Sequence, residues 1–342
     1  MYIVIGITLL LVLSGCLIDE MGGAFTHEPE EFAVKASPGA KELVAKAFEG
    51  IDAQQLLDYH THIVGLGTGN NGTYVNPEMR SWRHPVKRLK FNIYVSAAGI
   101  RDVAHADEEY VERLVRLIRS IKNHGKYRIL AFDRYYNPDG TMNPAKTEFY
   151  VPNEYVFKLC REYPDVFLPV ISVNPYRKDA LLELEKWAGK GAKYIKWLPN
   201  AMGINPADPR IDPFYAAMKS HDMILLTHTG EEQAVEAEED QQWGNPLLLR
   251  KPLSHGIRVI MAHCASLGEC VDLDSPNQEK RSCFSLFLRL MDEKQYEGLL
   301  FGEISAQFQF NRLSVPISTI LKRRDLHHRL VNGSDYPMPG VN

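Results

Sequence analysis

From Leu56 onward, short apolar runs alternate with segments whose apolar residues recur at helical spacing. The short runs are Leu56–His62, Arg128–Asp133, Val166–Val173, Lys193–Leu198, Met223–His228, Arg258–His263, Leu299–Ile304 and Arg329–Asp335. Their length and their bounding by polar stretches predict strands. The helical segments are Asp107–Asn123, Asn153–Tyr163, Lys178–Ala188, Pro213–Ser220, Pro246–Ser254, Ser282–Lys294 and Val315–Arg323. In the first of them Val111, Leu114, Val115, Ile118 and Ile121 recur at helical spacing, and Asn153 is a suitable N-cap for the second. Eight strands alternating with seven helices predict an α/β fold, a parallel (β/α)8 TIM barrel forming a single catalytic domain. The sequence stops seven residues after Asp335. It therefore reads as stopping short of the eighth helix, which normally covers the seam between strands eight and one.

The pattern before the barrel is different. Tyr2 to Leu13 is almost continuously apolar and leads into Leu13-Ser14-Gly15-Cys16. That run is shorter than the roughly 20 residues a membrane-spanning helix needs, and it has the length of a secretory h-region. Small residues before a cysteine read as a bacterial lipobox, although no Lys or Arg precedes the apolar run. The expected organisation is a lipoprotein-type signal peptide at 1–15, a tether and N-terminal extension at 16–50, and the barrel at 51–342 with a rim insertion at 64–106. A lipidated Cys16 would tie the chain to a membrane, making it a bacterial lipoprotein that faces the periplasm or the cell exterior. The other cysteines do not form a disulfide framework by spacing; Cys264 and Cys270 could pair or stay free.

Charge narrows the partners. With 39 basic and 43 acidic residues the net charge is −4. No basic run tracks a nucleic acid, so the expected partner is a small-molecule substrate. No amphipathic segment stands out that would draw substrate from a bilayer.

The active face of such a barrel is formed by the C-terminal ends of its strands. Strand one ends in Asp58-Tyr59-His60-Thr61-His62, strand four carries Lys196, and strands five, six and eight end at His228, His263 and Asp335. Side chains alternate along a strand, so His60 and His62 share a face. Ile195 and Trp197 suit the layer under the helices, which turns Lys196 into the barrel. A lone strand-end His is more often a satisfied polar residue than a ligand, and a buried charged Lys is costly. The joint occurrence at five strand ends is what points to a site.

Together these residues resemble the amidohydrolase superfamily, over roughly Asp58 to Pro337. The motifs are Asp58-Tyr59-His60-Thr61-His62, Tyr194-Ile195-Lys196-Trp197, Leu226-Thr227-His228-Thr229-Gly230, Met261-Ala262-His263 and Gly333-Ser334-Asp335-Tyr336-Pro337. The last is most similar to the amidohydrolase-related branch, also called amidohydrolase 2, which holds hydrolases and nonoxidative decarboxylases. The resemblance implies that His60, His62 and Asp335 ligate a buried metal. It also implies that Lys196, if carboxylated by CO2, bridges to a second metal held by His228 and His263. With Lys196 unmodified it implies one metal on His60, His62, His228 and Asp335, with His263 stabilising negative charge on the substrate.

Imidazole-rich ligation favours Zn2+, with Mn2+ and Fe2+ as alternatives. The expected reaction is hydrolysis of an amide, lactone or ester, phosphoesters included, by a metal-activated water, with Asp335 as the proton shuttle. A decarboxylase or other lyase of the same fold is the alternative, and a surface lipoprotein that binds metal or ligand without turnover is a third reading. Substrate choice is expected in the insertion, which offers Arg80, Trp82, Arg83, His84 and Arg88, although a solvated basic flap would look the same. The acidic loop from Gly230-Glu231-Glu232 to Trp243 is expected to line the mouth.

Overall fold

The computed structural model describes residues 28–122, 124–235, 237–309, 312 and 315–338. The expected signal peptide at 1–15, Cys16 and the first part of the tether lie outside the described residues.

All eight expected strands form: β1 Leu57–His62, β2 Lys126–Leu130, β3 Phe167–Val170, β4 Tyr194–Trp197, β5 Ile224–Thr227, β6 Arg258–Met261, β7 Leu300–Glu303 and β8 Leu330–Val331. They lie parallel in two sheets, β1-β2-β3 and β8-β7-β6-β5-β4. The sheets are not joined by continuous ladders. At one seam Ile171 bridges Ile195; at the other Thr61 bridges Tyr336, flanked by His62 N–H donating to Tyr336 O and Asp335 N–H donating to His60 O. The ring of strands is a TIM barrel whose two seams are carried by these single bridges.

The helices follow the same order: α1 Pro38–Ala47, α2 Pro85–Ala97, α3 Ala106–Arg119, α4 Asn153–Glu162, α5 Ala180–Gly189, α6 Asp212–Ser220, α7 Arg250–Ser254, α8 Cys283–Asp292 and α9 Val315–Lys322. The seven expected from sequence are α3 to α9. α1 lies in the N-terminal extension and α2 in the rim insertion. Both were missed because their apolar residues do not form a clear single stripe.

Alternation divides the apolar side chains into two cores. Leu130, Val170, Leu226, Ile260 and Ala262 fill the barrel. Ile195, Trp197, Leu225, Val259 and Met261 face outward onto Leu114, Leu184, Trp187, Phe214 and Leu286 of the helices. Lys196 pairs in register with Leu226, and Ile195 with Leu225, so Lys196 points into the barrel interior.

Three expectations need correction. Strands β5, β6 and β8 end before His228, His263 and Asp335 rather than at them. The chain turns out of extended geometry there: His263 and Asp335 have φ of 56° and 59°, left-handed conformations that persist only where surrounding structure enforces them. Cys270 pairs with Cys283, not with Cys264, which is free and buried. The reason is a two-stranded ribbon, Glu269–Val271 with Lys280–Ser282, whose register sets Cys270 opposite Arg281 and so beside Cys283. Finally, the insertion is no bare loop. Asp107 gathers the start of it by accepting from Leu66 N, Gly69 N, Asn71 Nδ2 and Thr73 Oγ1. α2 then crosses the barrel mouth and docks on the β5 loop, where Tyr94 Oη donates to Ala234 O and Lys90 Nζ to Gln233 O.

Candidate active site

His60, His62, Lys196, His228, His263 and Asp335 all line one cavity of about 620 Å³ at the C-terminal end of the barrel. Sequence reasoning missed its most buried acid. Glu303, the last residue of β7, is fully buried behind the histidines. Its Oε2 lies 2.9 Å from His60 Nδ1 and accepts from Ser305 Oγ at 2.8 Å and from His263 N at 3.3 Å, while Oε1 accepts from Ser305 N. Ser305 Oγ in turn lies 2.9 Å from His263 Nδ1. Gly333 lets the β8 end approach this cluster, since a Cβ there would overlap Glu303 Oε1 and crowd the His60 Cβ. The sequence signal was an acidic residue near the end of an otherwise apolar predicted strand, the same signal that singled out the histidines.

Asp58 braces the two strands that carry the ligand candidates. It accepts from His60 N at 2.8 Å and from Ser334 N at 3.1 Å, tying β1 to the turn after β8, and burial pushes its carboxyl up to about 6.

The Nδ1 side of three of the four cavity histidines faces an oxygen. His60 faces Glu303, His263 faces Ser305, and His228 Nδ1 is 3.5 Å from Glu232 Oε2. With Glu303 ionised, His60 carries its proton on Nδ1, and Ser305, which gives its hydroxyl proton to Glu303, can only accept from His263 Nδ1. The Nε2 lone pairs then point to the cavity side, that of His60 toward Lys196 Nζ. There His60 Nε2 is 3.4 Å and His62 Nε2 3.2 Å from the same Asp335 Oδ1. His228 Nε2 is buried with no hydrogen-bond partner among the described residues. Burial, reinforced by Lys196 or Arg312, holds His60, His228 and His263 well below the ordinary imidazole range, so all three are neutral.

Such a set of neutral imidazole and carboxylate acceptors, turned toward one another in a buried pocket, suits a divalent cation. Two groups of potential ligand atoms, His60–His62–Asp335 and His60–His263–Glu303, each lie within 4.8 Å of one another. Lys196 Nζ sits 3.1 Å from His60 Nε2. Burial pulls its amine down to about 8 against the attraction of Asp335, Glu303 and Glu232. Burial also pushes Glu303 up to about 8, with the Asp335 charge adding to the rise. A cation on the Nε2 side of His60 would offset that cost and keep Glu303 the acceptor.

Residues 140–341 match the family described as amidohydrolase. The chain belongs to the amidohydrolase family. The matched segment carries Lys196, His228, His263, Glu303 and Asp335, while His60 and His62 precede it. No curated protein matches the chain. Among solved structures, an uncharacterised TIM-barrel protein from Bordetella bronchiseptica is 16% identical, with a TM-score of 0.56 over 84% of this chain and 88% of that one. That likeness shows the barrel fold and nothing of the reaction. A 5-carboxyvanillate decarboxylase from Sphingomonas paucimobilis is 10% identical, with a TM-score of 0.48 over 84% of this chain and 90% of that one. A 4-oxalomesaconate hydratase from Rhodopseudomonas palustris is 13% identical, with a TM-score of 0.47 over 82% of each chain.

The rest of this amidohydrolase cavity is mostly apolar. Leu66, Met79, Phe91, Val95, Phe132, Phe149 and Val235 line it, with Tyr94 and Lys90 from α2. The insertion thus reaches the cavity through Leu66, Val75 and Met79 and through the inner face of α2. Arg80, Trp82, Arg83, His84 and Arg88 do not line it; they stand on the outer side, with Trp82 80% exposed. Charge keeps the arginine side chains in water, while Phe91, Ile93, Tyr94 and Val95 on the other side of α2 turn inward. From the β5 loop, Glu232 to Val235 reach the wall, and Trp243 does not. One further cation reaches it: Arg312, 7% exposed, donates to Ser266 Oγ at 3.1 Å and Gln309 Oε1 at 3.2 Å. Among the described residues no carboxylate lies within ion-pairing distance of it.

Proposed function

We propose that this chain is a metal-dependent hydrolase cleaving an amide, lactone or ester bond, phosphoesters included. The observation that carries the reading is the convergence of His60 Nε2 and His62 Nε2 on Asp335 Oδ1, at 3.4 and 3.2 Å, beside the orphaned His228 Nε2. In this reading His60, His62 and Asp335 hold one divalent ion, Zn2+ by its taste for imidazole. His228 either joins them or, with His263 and a carboxylated Lys196, holds a second. A buried amine drawn toward neutrality is the form that adds to CO2, losing one proton to give the carbamate anion. When bound, the metal would acidify a water and polarise the bond to be cleaved.

The remaining roles belong to the side chains. Asp335 faces the cavity and is placed to take a proton and return it to the leaving group. Glu303 and Ser305 fix the ring orientation and tautomer of His60 and His263. With its Nδ1 proton given to Ser305, His263 presents a lone pair and serves better as a ligand than as a donor to developing negative charge. The apolar wall excludes water from the reacting bond.

A second reading, a nonoxidative decarboxylase, is favoured by Arg312, whose buried guanidinium could hold a carboxylate. Elemental analysis of protein purified without chelators separates the cases. Two transition metals per chain, falling to one in Lys196→Ala, support the carbamate-bridged hydrolase. One metal, unaffected by that change, supports a single-metal centre and directs the screen to CO2 release. No metal at all overturns both readings. Turnover of a panel of esters, lactones and amides that is lost in Asp335→Asn identifies the hydrolase.

The Cys270–Cys283 disulfide fits an oxidising compartment, which agrees with anchoring through a lipidated Cys16. A mass shift for a diacylated Cys16 in protein extracted from bacterial membranes tests this.

A further inference from the structure

The outer side of α2 and the turn before it have no part in the cavity. Trp82, Val86 and Leu89 there are 80, 67 and 45% exposed. Val86 and Leu89 are one helical turn apart and share a face. Ile93, one turn further, lines the cavity. An apolar strip therefore leads from solvent to the cavity mouth.

Its surroundings are basic. Residues 79–101 contain six Lys or Arg and no Asp or Glu, in a chain whose net charge is −4. Lys87 is buried and paired with Glu78 and Glu148, and Arg101 is paired with Glu28, so the outward basic excess is carried by Arg80, Arg83, Arg88 and Lys90. Arg88 stacks on one side of the Trp82 ring at 3.8 Å. An exposed indole and two aliphatic side chains, ringed by guanidinium groups, match an anionic lipid interface. A protein partner would fit poorly, because so small an apolar patch offers little area to bury.

The entry point of the chain supports the same surface. Glu28, where the described chain begins, is ion-paired to Arg101 and Arg116. The N-terminal segment thus joins the barrel beside the end of the insertion. Cys16 precedes Glu28 by twelve residues, a reach of at most roughly 40 Å. An anchor at Cys16 leaves the α2 side within reach of the membrane.

We propose that the outer face of α2 docks on the anionic lipid surface that holds the anchor, with Trp82 among the headgroups, so that the cavity opens toward the bilayer and receives amphipathic substrate from it. The inference takes the Cys16 anchor from the function proposed above. Its own content is the docked orientation.

The test uses the full chain bound to phosphatidylcholine vesicles that contain phosphatidylglycerol and brominated acyl chains. Trp187 and Trp197 are buried at 1 and 0% exposure, and subtracting the Trp82→Phe spectrum isolates Trp82. Docking predicts that the Trp82 emission shifts to the blue, is quenched by bromine, recovers at high salt and weakens in Arg83→Glu/Arg88→Glu. Sedimentation of the same samples reads anchoring separately. Vesicle-bound chain whose Trp82 stays unshifted and unquenched overturns the docking and leaves the anchor standing. Chain that sediments with neither anionic nor neutral vesicles overturns both. A blue shift without lipid, accompanied by a dimer in solution, would give the face to a second copy and overturn the membrane assignment.

Discussion

Replacing Glu303 with Gln tests whether one buried carboxylate organises the centre. Glu303 Oε2 meets His60 Nδ1, Ser305 Oγ and His263 N at 2.9, 2.8 and 3.3 Å, and Oε1 meets Ser305 N. A glutamine offers one acceptor oxygen where the carboxylate offers two. If its NH2 takes the Oε2 place, it faces three donors and His60 loses its Nδ1 acceptor. If its oxygen takes that place, the NH2 faces Ser305 N–H. Either way at least one buried donor is stranded, which costs about 1–3 kcal/mol of stability. The loss of orientation and basicity at His60 should also weaken metal binding by about 10–100-fold, or about 1.4–2.7 kcal/mol. Urea unfolding of the metal-free protein above pH 8, where Glu303 is ionised, reads the first quantity, and competition for Zn2+ against a chromophoric chelator reads the second. A folded Glu303→Gln protein with the wild-type metal affinity would refute the argument, because the carboxylate would then be only part of the packing.

Three further outcomes follow from other parts of the fold. Cys283→Ser opens the bond to Cys270, thirteen residues away, and should cost about 3 kcal/mol; unfolding curves that are the same with and without reductant would contradict this. Leu226 is fully buried in the barrel interior, so Leu226→Ala should cost about 2–5 kcal/mol, read as a lower urea midpoint. The Arg210 guanidinium and N–H, with Tyr176 Oη, hold Asp208 down to about 2. Because its folded value lies below the ordinary 3.8, its stabilisation is present above that range and is lost as pH falls through about 2. The stability gap between wild type and Asp208→Asn should therefore shrink on acidification, and a constant gap would exclude the linkage.

The sequence alone determined the order of elements, because the periods of strands and helices are written in local alternation. It also determined which strand ends carry metal-capable side chains: those residues interrupt apolar runs, and Lys196 stood out because an unpaired buried amine is costly. Glu303 carried the same signal and was passed over, since one acid in a strand says nothing until the histidine it serves is in place. The tertiary structure alone decided the rest. His60 and Glu303 are 243 residues apart and meet only through the seam between β1 and β8 and the neighbouring β7. The Cys270–Cys283 pairing depends on the register of a ribbon, and the two faces of α2 on which side of it covers the cavity. Local periodicity sets what a segment becomes; closing the ring of strands sets what each side chain meets, and that closure is a property of the whole chain.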